Sequence, residues 1–182
     1  MFFQSIKYCS NCGNNVVFSL VEGEDRKRYY CENCKTVHYT NPKLVVGALV
    51  YFEDKILLCK RAIEPRKGFW NLPAGYLEDG ESAEIGAKRE VWEEAGAAVN
   101  IEGILAVYNL PQANQVYIHF YGNLVNGIFS NGVESIETRL FEVKDIPWNE
   151  MAFSSSTFAI NKFLENKKLG INQSHLGCFP EV

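Results

Sequence analysis

Residues 82–96, SAEIGAKREVWEEAG, constrain this chain most, because they combine a helical pattern with crowded carboxylates. At about 100° per residue, Glu90, Glu93 and Glu94 project within an arc of about 100°. Like charges at these spacings cost roughly 0.2–0.5 kcal/mol per pair unless positive charge lies among them. The stretch is therefore either a solvated acidic face, partly neutralised by neighbouring basic residues, or one side of a cation-binding site.

Length and charge narrow the class of protein. The 182 residues are enough for a small module and one medium domain, and the hydrophobic and charged fractions, 47% and 22%, are ordinary for a globular protein. No apolar run approaches the ~18 residues of a membrane span, and no signal peptide or transit-like segment precedes Cys9. We therefore expect a cytoplasmic, bacterial protein with no membrane partner. Because the net charge is −4, a polyanionic substrate would need a metal or a few placed basic residues.

The first 40 residues contain two C-x2-C pairs in the pattern C-x2-C-x18-C-x2-C, which is the spacing of a zinc site. Between the pairs, VVFSL and RKRYY predict strands around the turn EGED. We therefore predict a structural zinc ribbon over residues 1–40, the alternative being four buried reduced thiols. His38 could replace one thiolate, but four thiolates already complete a closed tetrahedral site. The predicted zinc ligands are Cys9, Cys12, Cys31 and Cys34.

The rest of the chain alternates β-rich runs with two helical stretches. Residues 43–62 predict a hairpin with an acidic turn, and the recurring Pro and Gly of residues 63–81 predict a loop. The helix that carries the glutamates has an N-cap signal in Ser82 and a stop signal in Gly96. The further strand candidates are residues 99–110, 115–125 and 136–146, the second helix is residues 157–169, and residues 169–182 form a tail that we expect to be poorly ordered.

Residues 75–97 spell G-x5-E-x7-R-E-V-x-E-E-x-G-A, which is an unbroken Nudix box. The one departure is Ala97, where the pattern usually has a larger aliphatic residue, and this concerns packing rather than chemistry. The sequence therefore resembles the Nudix hydrolases, which cleave nucleoside diphosphates linked to another moiety. The resemblance implies the α/β class, with an α/β/α sandwich around a mixed sheet, over residues 41–168.

The resemblance also assigns roles within the box. Glu90, Glu93 and Glu94, beside the backbone carbonyl of Gly75, would hold catalytic Mg²⁺ or Mn²⁺. Such ions prefer hard oxygen ligands, neutralise the charge of a diphosphate and make a water nucleophilic. Any one of the three glutamates could orient or deprotonate that water, and Glu90 is the first choice. Cations would also make the crowded carboxylates tolerable.

Residues around the trio complete the predicted site. By resemblance, Glu81 and Arg89 form an ion pair that braces the loop against the helix. A downstream loop often supplies a further carboxylate in this family, and here Glu134 is preferred to Glu137. Each of these two is otherwise a solvated loop glutamate.

Four further residues are candidates for substrate binding. Arg61, at the end of the LLCKR strand, and Arg66 could meet phosphates, the alternative being surface arginines. Trp70 and Tyr117 could stack on a base or ring, although aromatic residues in such strands are more often part of the core.

The order of ribbon and box suggests a substrate class. NADH pyrophosphatases share it, but they carry an SQPWPFP motif after the box, and this chain reads AAVNIEGILAVYNLPQANQVYIHFYG there. The segments HYTNPKLVVGALV, LLCKRAIEP and GFWNLPAGYLEDGES resemble instead the plant plastid FAD/ADP-ribose pyrophosphohydrolases and their bacterial relatives. Pro111, which follows Gly96 by fifteen residues, is consistent with the ADP-ribose branch. The resemblance implies cleavage of FAD to FMN and AMP, or of ADP-ribose to AMP and ribose 5-phosphate.

A binding module is the alternative from a different class. Zinc ribbons often bind nucleic acid or protein, and a Nudix fold can serve as a nucleotide sensor. The basic patch near the ribbon is small and flanked by acidic residues, so we do not expect nucleic acid as a partner. The intact glutamate trio favours an enzyme, which by resemblance could be a homodimer. The patch consists of Arg26, Lys27, Arg28 and Lys43.

Overall fold

The computed structural model describes residues 5–180, and the chain divides into two compact units. One unit comprises Met1–Pro42 with Gln112–Asn114, and the other comprises Lys43–Pro111 with Gln115–Val182. The first four residues of the predicted ribbon and the last two of the predicted tail lie outside the described residues. Among the helices that are described, none is long and apolar enough to cross a membrane.

The smaller unit contains a three-stranded antiparallel sheet and two equivalent cysteine turns. In each turn, the residue after the second cysteine donates its backbone N–H to the carbonyl of the first, at 2.9 Å from Gly13 and 2.8 Å from Lys35. Both residues have positive φ, 73° and 61°, a conformation that glycine adopts most readily. The strands are β1 (Val17–Leu20), β2 (Lys27–Tyr30) and β3 (Val37–His38).

Within the described residues, the larger unit contains one eight-stranded sheet, two α-helices and short 3-10 turns. The strands are β4 (Lys43–Phe52), β5 (Lys55–Arg61), β6 (Trp70–Asn71), β7 (Ala74–Tyr76), β8 (Val99–Leu110), β9 (Gln115–Leu124), β10 (Ser135–Glu142) and β11 (His175–Cys178). The helices are α1 (Ala83–Ala95) and α2 (Ser154–Leu169).

The sheet is mixed, as predicted. Its main order is β10-β5-β4-β9-β8-β11, with β6 beside β5 and β7 beside β4. The pairs β4–β9 and β8–β11 are parallel, and the other pairs are antiparallel. Strands β4 and β5 form the predicted hairpin, in which Tyr51 pairs with Ile56.

Helix α1 begins and ends at its sequence signals. The Ser82 hydroxyl accepts a hydrogen bond from the backbone N–H of Ile85 at 3.3 Å. Gly96 adopts the left-handed conformation and donates its N–H to the carbonyl of Trp92. Both predicted ends are therefore confirmed, because capping depends on residues that are adjacent in the sequence.

The two helices cover opposite faces of the sheet. Val46 of β4 packs in a cluster with Ala87 of α1, whereas Leu49 of the same strand packs with Ile160 of α2. Residues 46 and 49 differ by an odd number of positions, so their side chains leave the strand on opposite faces. The predicted α/β/α sandwich is therefore present.

The tail differs from its prediction. The absence of periodicity over residues 169–182 predicts poor order, but β11 pairs in parallel with β8. Ser174 Oγ donates to the carbonyl of Ile104 at 2.7 Å, and Asn109 Nδ2 donates to the carbonyl of Gly177 at 3.1 Å. Poor order is therefore wrong for residues 174–178, because a distant strand supplies the partner that the local pattern does not show.

Candidate active site

Helix α1 places two of the three predicted glutamates in the interior. Glu90 and Glu94 are 8% and 6% exposed, whereas the side chain of Glu93 is 52% exposed. The i,i+4 spacing puts Glu90 and Glu94 on the same side of the helix as Ala87 and Val91, which pack against the sheet. Two carboxylates therefore lie at the sheet side of α1, and the third lies at its solvent edge.

Arg89 lies at the centre of the carboxylate cluster. Its Nη2 and Nε donate to the two carboxylate oxygens of Glu81, at 2.6 and 3.1 Å, and these bonds lower the pKa of Glu81. Its Nη1 donates to Glu90 at 2.7 Å and to Glu93 at 3.0 Å. Nη2 also donates to the carbonyl of Tyr76 at 3.0 Å. The predicted ion pair of Glu81 and Arg89 is present, and the same guanidinium also stabilises two glutamates of the trio.

Gly75 places its backbone directly against the carboxylate of Glu90. It lies in β7, where it pairs with Val46 of β4. A Cβ at this position would collide with both carboxylate oxygens of Glu90. Because Gly75 has no side chain, its backbone in β7 can approach the carboxylate of Glu90. This approach is needed if both are to bind one metal ion.

Burial raises the pKa of the two inner glutamates, Glu90 and Glu94. Loss of hydration, followed by the negative charge of Glu90, raises the pKa of Glu94 to about 8, and the positive charge of Arg61 opposes this shift. Loss of hydration also raises the pKa of Glu90, although hydrogen bonding to Arg89 opposes it. A nearby cation would favour the ionised form of both carboxylates. The pair is therefore a place where positive charge is stabilising.

The loop before β10 brings Glu134 towards the same carboxylates. Its negative charge contributes to the raised pKa of both Glu90 and Glu94, and Gly132, two residues earlier, donates its backbone N–H to the carbonyl of Glu94. The carbonyl of Glu134 accepts a hydrogen bond from the backbone N–H of Ala62 at 2.8 Å, which fixes the loop at the end of β5. The other predicted candidate, Glu137, lies further along β10.

Sequence reasoning missed Gly132, which holds this loop against the last turn of α1. Its backbone N–H donates to the carbonyl of Glu94 at 3.0 Å, and the N–H of Ser130 donates to the carbonyl of Ala95 at 2.8 Å. A Cβ at Gly132 would collide with the carbonyl of Glu93. The only signal was one glycine in the irregular segment SNGVES, and nothing in the sequence showed which element it meets.

The two predicted phosphate-binding arginines lie in different surroundings. Arg61 is half-buried, its Nε donates to the carbonyl of Pro65 at 2.9 Å, and its guanidinium carbon lies 5.1 Å from the centre of the Phe153 ring. Arg66 is exposed, with its guanidinium carbon 5.4 Å from the centre of the Phe69 ring. The positive charge of Arg61 opposes the raised pKa of buried Glu94, which links Arg61 electrostatically to the carboxylate cluster.

The two aromatic residues predicted to bind substrate lie in the core instead. Trp70 is 5% exposed and packs edge-on against Phe141, with ring centroids 4.8 Å apart. Tyr117 is 9% exposed, and its hydroxyl donates to Gln115 at 3.0 Å. A substrate ring could stack on them only after core side chains had moved. In this structure both side chains therefore pack in the core, which is the alternative expected for aromatic residues in strands.

The oxygen donors of this site suit a hard divalent cation. Carboxylates and a backbone carbonyl are ligands that Mg²⁺ and Mn²⁺ prefer. Arg89 binds one oxygen of Glu90 and one of Glu93, so each carboxylate keeps its second oxygen free of that guanidinium. The side chain of Arg89 therefore holds the carboxylates in place without occupying all of their oxygens.

A separate group of four sulfurs lies in the smaller unit. The sulfur atoms all lie within 4.8 Å of one another, and the Cys9–Cys34 and Cys12–Cys31 pairs are each 3.5 Å apart. A tetrahedral zinc with Zn–S distances of about 2.3 Å would space its sulfurs by about 3.8 Å, so the group fits this ion. His38 Nε2 lies 3.3 Å from Cys9 Sγ, where it can hydrogen-bond to a thiolate. Within residues 5–180, no other group of Cys, His, Asp or Glu brings three ligand atoms this close.

Known protein families match both parts of the chain. The family model described as NUDIX domain matches residues 41–159, and the one described as Nudix N-terminal matches residues 7–40. Since the first match covers more than half of the chain, the chain belongs to the Nudix family and is an enzyme of the Nudix hydrolase class. The predicted combination of a Nudix domain with an N-terminal zinc ribbon is confirmed.

Individual relatives extend this likeness. The chain is 29% identical over 132 residues to an ADP-ribose pyrophosphatase of Methanocaldococcus jannaschii. This match covers 70% of this chain and 74% of that protein. It is 28% identical over 166 residues to an NAD-capped RNA hydrolase NudC of Stutzerimonas stutzeri, covering 88% of this chain but only 57% of that protein. A crystal structure of a NUDIX hydrolase from Nitrosomonas europaea is 44% identical with a TM-score of 0.91, over 96% of this chain and 99% of that one.

Proposed function

We propose that the protein hydrolyses the pyrophosphate bond of a nucleoside diphosphate linked to another moiety, with Mg²⁺ or Mn²⁺ as cofactor. The proposal is supported by the convergence of buried Glu90 and Glu94 beside the backbone of Gly75 and the guanidinium of Arg89. Buried like charges are stable in the ionised form only when positive charge compensates them. Phosphoanhydride cleavage is a reaction in which cations held in this way neutralise the diphosphate.

The three glutamates of α1 and Gly75 would hold the cations, and the cations would activate the attacking water. Bound divalent cations would offset the charge of the diphosphate and lower the pKa of a coordinated water. Glu90, Glu93 and Glu94, with the carbonyl of Gly75, are the proposed ligands. Glu90 is the first choice for orienting the attacking water or accepting its proton, because Arg89 binds only one of its carboxylate oxygens and leaves the other available.

The surrounding residues would position the inner ones and the substrate. Arg89 donates to both carboxylate oxygens of Glu81 and to the carbonyl of Tyr76, and so keeps the carboxylates of α1 aligned with the strand that carries Gly75. Arg61 would meet a phosphate oxygen, since it is half-buried, its charge acts on Glu94, and none of the carboxylates binds its guanidinium within the described residues. Glu134, in the loop before β10, would add a further carboxylate to the site, as a metal ligand or as a second base.

ADP-ribose is the first proposed substrate, with AMP and ribose 5-phosphate as products. The relative named as an ADP-ribose pyrophosphatase supports it, because the match covers most of both chains. FAD, cleaved to FMN and AMP, is the other proposed substrate, on the basis of the resemblance of the ribbon, loop and box segments. Both substrates contain the same AMP–phosphate linkage, so one site could act on either.

NADH is a second candidate substrate. The relative named as an NAD-capped RNA hydrolase supports it, because that match extends over 166 residues and 88% of this chain. NADH contains a pyrophosphate bond of the same kind, so the proposed chemistry would be unchanged. The sequence after Gly96 disfavours NADH, because it lacks the SQPWPFP motif expected of NADH pyrophosphatases.

We also propose a structural Zn²⁺ in the smaller unit. Four thiolates would close its coordination sphere and leave no position for a reacting water. The ion would therefore stabilise the ribbon without taking part in hydrolysis. The cytoplasmic location and the homodimer remain predictions of the sequence.

Hydrolysis of ADP-ribose, FAD and NADH by the purified zinc-loaded protein tests the proposal. Products are separated by chromatography after incubation with Mg²⁺ or Mn²⁺. We expect kcat/KM for ADP-ribose or FAD to exceed that for NADH by roughly tenfold or more. Preferential NADH cleavage would change the substrate assignment and keep the chemistry. If neither cation supports cleavage of any of the three, the enzyme proposal fails for these substrates and a nucleotide-binding module takes its place.

A further inference from the structure

A groove of about 960 Å³ lies between α2, the end of β8 and the segment that contains β11. It is distinct from the carboxylate cluster, and none of the residues assigned above to catalysis lines it. Its lining combines aromatic side chains with short polar ones. The lining residues relevant here are Tyr108, Phe158 and Phe179, with Ser154 and Asn161.

The aromatic wall of the groove is firmly placed. The rings of Tyr108 and Phe158 pack with their centroids 5.2 Å apart. Gly177 of β11 runs so close to them that a Cβ would lie 2.6 Å from Tyr108 and 2.8 Å from Phe158. Phe179, just beyond β11, is 48% exposed and adds a second aromatic surface to the same groove. Phe179 therefore offers an exposed aromatic face and half-buried Phe158 a partly covered one, and such faces stack on planar rings.

Two polar side chains of α2 are available to a ligand. Ser154 and Asn161 are exposed in the groove, and neither side chain hydrogen-bonds to another residue within the described part of the chain. The neighbouring Asn109 instead donates to the carbonyl of Gly177 at 3.1 Å, so one of its groups is already engaged. An amide and a hydroxyl offer both donors and acceptors, which suits the nitrogen-containing edge of a heterocycle.

The groove is linked to the carboxylate site through neighbouring residues. Phe158 packs in one cluster with Ala74, which directly precedes Gly75. At the start of α2, Phe153 lies 5.1 Å from the guanidinium carbon of Arg61. A molecule with its diphosphate at Arg61 and Gly75 would therefore have the groove within reach of its attached groups.

We propose that the groove binds the planar nitrogen heterocycle of the substrate, stacked on Phe158 and Phe179 and hydrogen-bonded by Ser154 and Asn161. The inference rests on the proposed function, since the diphosphate at the carboxylate cluster determines where the ring can lie. The adenine of an AMP unit and the isoalloxazine of an FMN unit share the required chemistry, a flat aromatic ring with polar edge atoms. The two sources are distinguished by titrating the protein with each mononucleotide.

The test fills the groove and measures binding without hydrolysis. The double variant Ser154→Trp/Asn161→Trp places two large side chains at exposed helix positions that line the groove. Its matched control, Lys168→Trp/Leu169→Trp, places them on the exposed last turn of the same helix. AMP and FMN are titrated by calorimetry into wild type and both variants, after circular dichroism has shown equal helix content and thermal unfolding. Ribose 5-phosphate serves as the ligand without a heterocycle.

We expect wild type and control to bind AMP or FMN alike, and the groove variant to bind the same mononucleotide about tenfold more weakly or worse. The mononucleotide whose binding is weakened in the groove variant, AMP or FMN, is the half of the substrate that binds in the groove. In hydrolysis, KM should rise by a similar factor while kcat stays within about twofold, because the reacting groups are unchanged. Unchanged binding in the groove variant, or no binding of either mononucleotide by wild type, would overturn the inference. Groove-dependent binding without any hydrolysis would instead support the groove and reject the proposed enzyme.

Discussion

Nη1 of Arg89 lies 2.7 Å from Oε1 of Glu90, its neighbour in the chain. Adjacent helix residues point about 100° apart and normally do not meet. The contact forms because the guanidinium also bonds the carbonyl of Tyr76, the last residue of β7, and the carboxylate of Glu81, in the loop before the helix. One side chain therefore joins loop and helix at the point where the buried carboxylates converge.

Replacing Arg89 by lysine should impair activity although the charge is retained. An ammonium group cannot form the two parallel hydrogen bonds to Glu81 and at the same time reach Glu90, Glu93 and Tyr76. We expect kcat/KM and the apparent affinity for Mg²⁺ to fall by about 10–100-fold. The matched control is Lys88→Arg, whose partner Glu84 is exposed.

Steady-state kinetics over a Mg²⁺ titration measures both effects of the Arg89→Lys change. Full activity of this variant at ordinary Mg²⁺ concentrations would show that the guanidinium does not position the carboxylates.

Gly132→Ala should move the loop that carries Glu134. Because a Cβ at this position would collide with the carbonyl of Glu93, the loop has to shift away from α1. We expect kcat to fall about tenfold or more, with a loss of stability of about 1–3 kcal/mol. Glu134→Gln should reproduce the loss of activity without the loss of stability, since Glu134 is exposed.

Urea unfolding together with activity measurements separates the two contributions of Gly132→Ala. If this variant loses stability but keeps its kcat, the position of the loop does not matter for hydrolysis.

His119 should make the protein less stable in mild acid. It is 1% exposed, neither ring nitrogen has a hydrogen-bond partner within the described residues, and burial lowers its pKa to about 4. Below about pH 6.5 His119 becomes protonated in the unfolded chain, whereas in the folded chain it stays neutral until the pH approaches 4. The stability contribution of neutral His119 is thus present above pH 6.5 and is lost as the pH falls towards 4. We expect this loss to reach about 2–3 kcal/mol, and His119→Leu to lack it.

Urea unfolding of wild type and His119→Leu between pH 7.5 and about 4.5 provides the measurement. Both proteins carry the same ribbon, so any release of zinc in acid cancels in the difference between them. Parallel curves of unfolding free energy against pH would contradict the prediction.

The purified protein should contain one zinc per chain, held by the four cysteines of the ribbon. Cys12→Ser removes one thiolate and should release most of the zinc, with local unfolding of the smaller unit. Cys178→Ser is the matched control, because Cys178 lies in β11 and outside the sulfur cluster. Zinc content by a colorimetric assay and limited proteolysis of the ribbon check both variants. Stoichiometric zinc in Cys12→Ser would exclude the four-thiolate site.

The elements that the sequence predicted are those whose causes are local. The ends of α1 follow from Ser82 and Gly96, the β4–β5 hairpin from two β-rich runs around a short turn, and the sulfur cluster from cysteine spacing. Each depends on residues a few positions apart or on a pair of repeated motifs. The Nudix box likewise fixed which residues to expect near one another at the site.

The features that the sequence did not predict depend on distant partners. Strand β11 is ordered by β8, more than sixty residues earlier in the chain, as the Asn109–Gly177 hydrogen bond illustrates. Trp70 lies in a strand of two residues, too short for alternation to show which face it occupies. The link from Gly132 to α1 is a backbone contact, so no side-chain pattern records it.

The most direct test of the central claim is ADP-ribose and FAD hydrolysis by Glu94→Gln, measured against Mg²⁺ concentration beside wild type and Glu137→Gln. If the buried carboxylates of α1 hold the catalytic cations, Glu94→Gln should lose activity by about 100-fold or more, with incomplete rescue at high Mg²⁺. Glu137→Gln, an exposed change further along β10, should remain within about twofold of wild type. Wild-type rates and an unchanged Mg²⁺ dependence in Glu94→Gln would contradict the account.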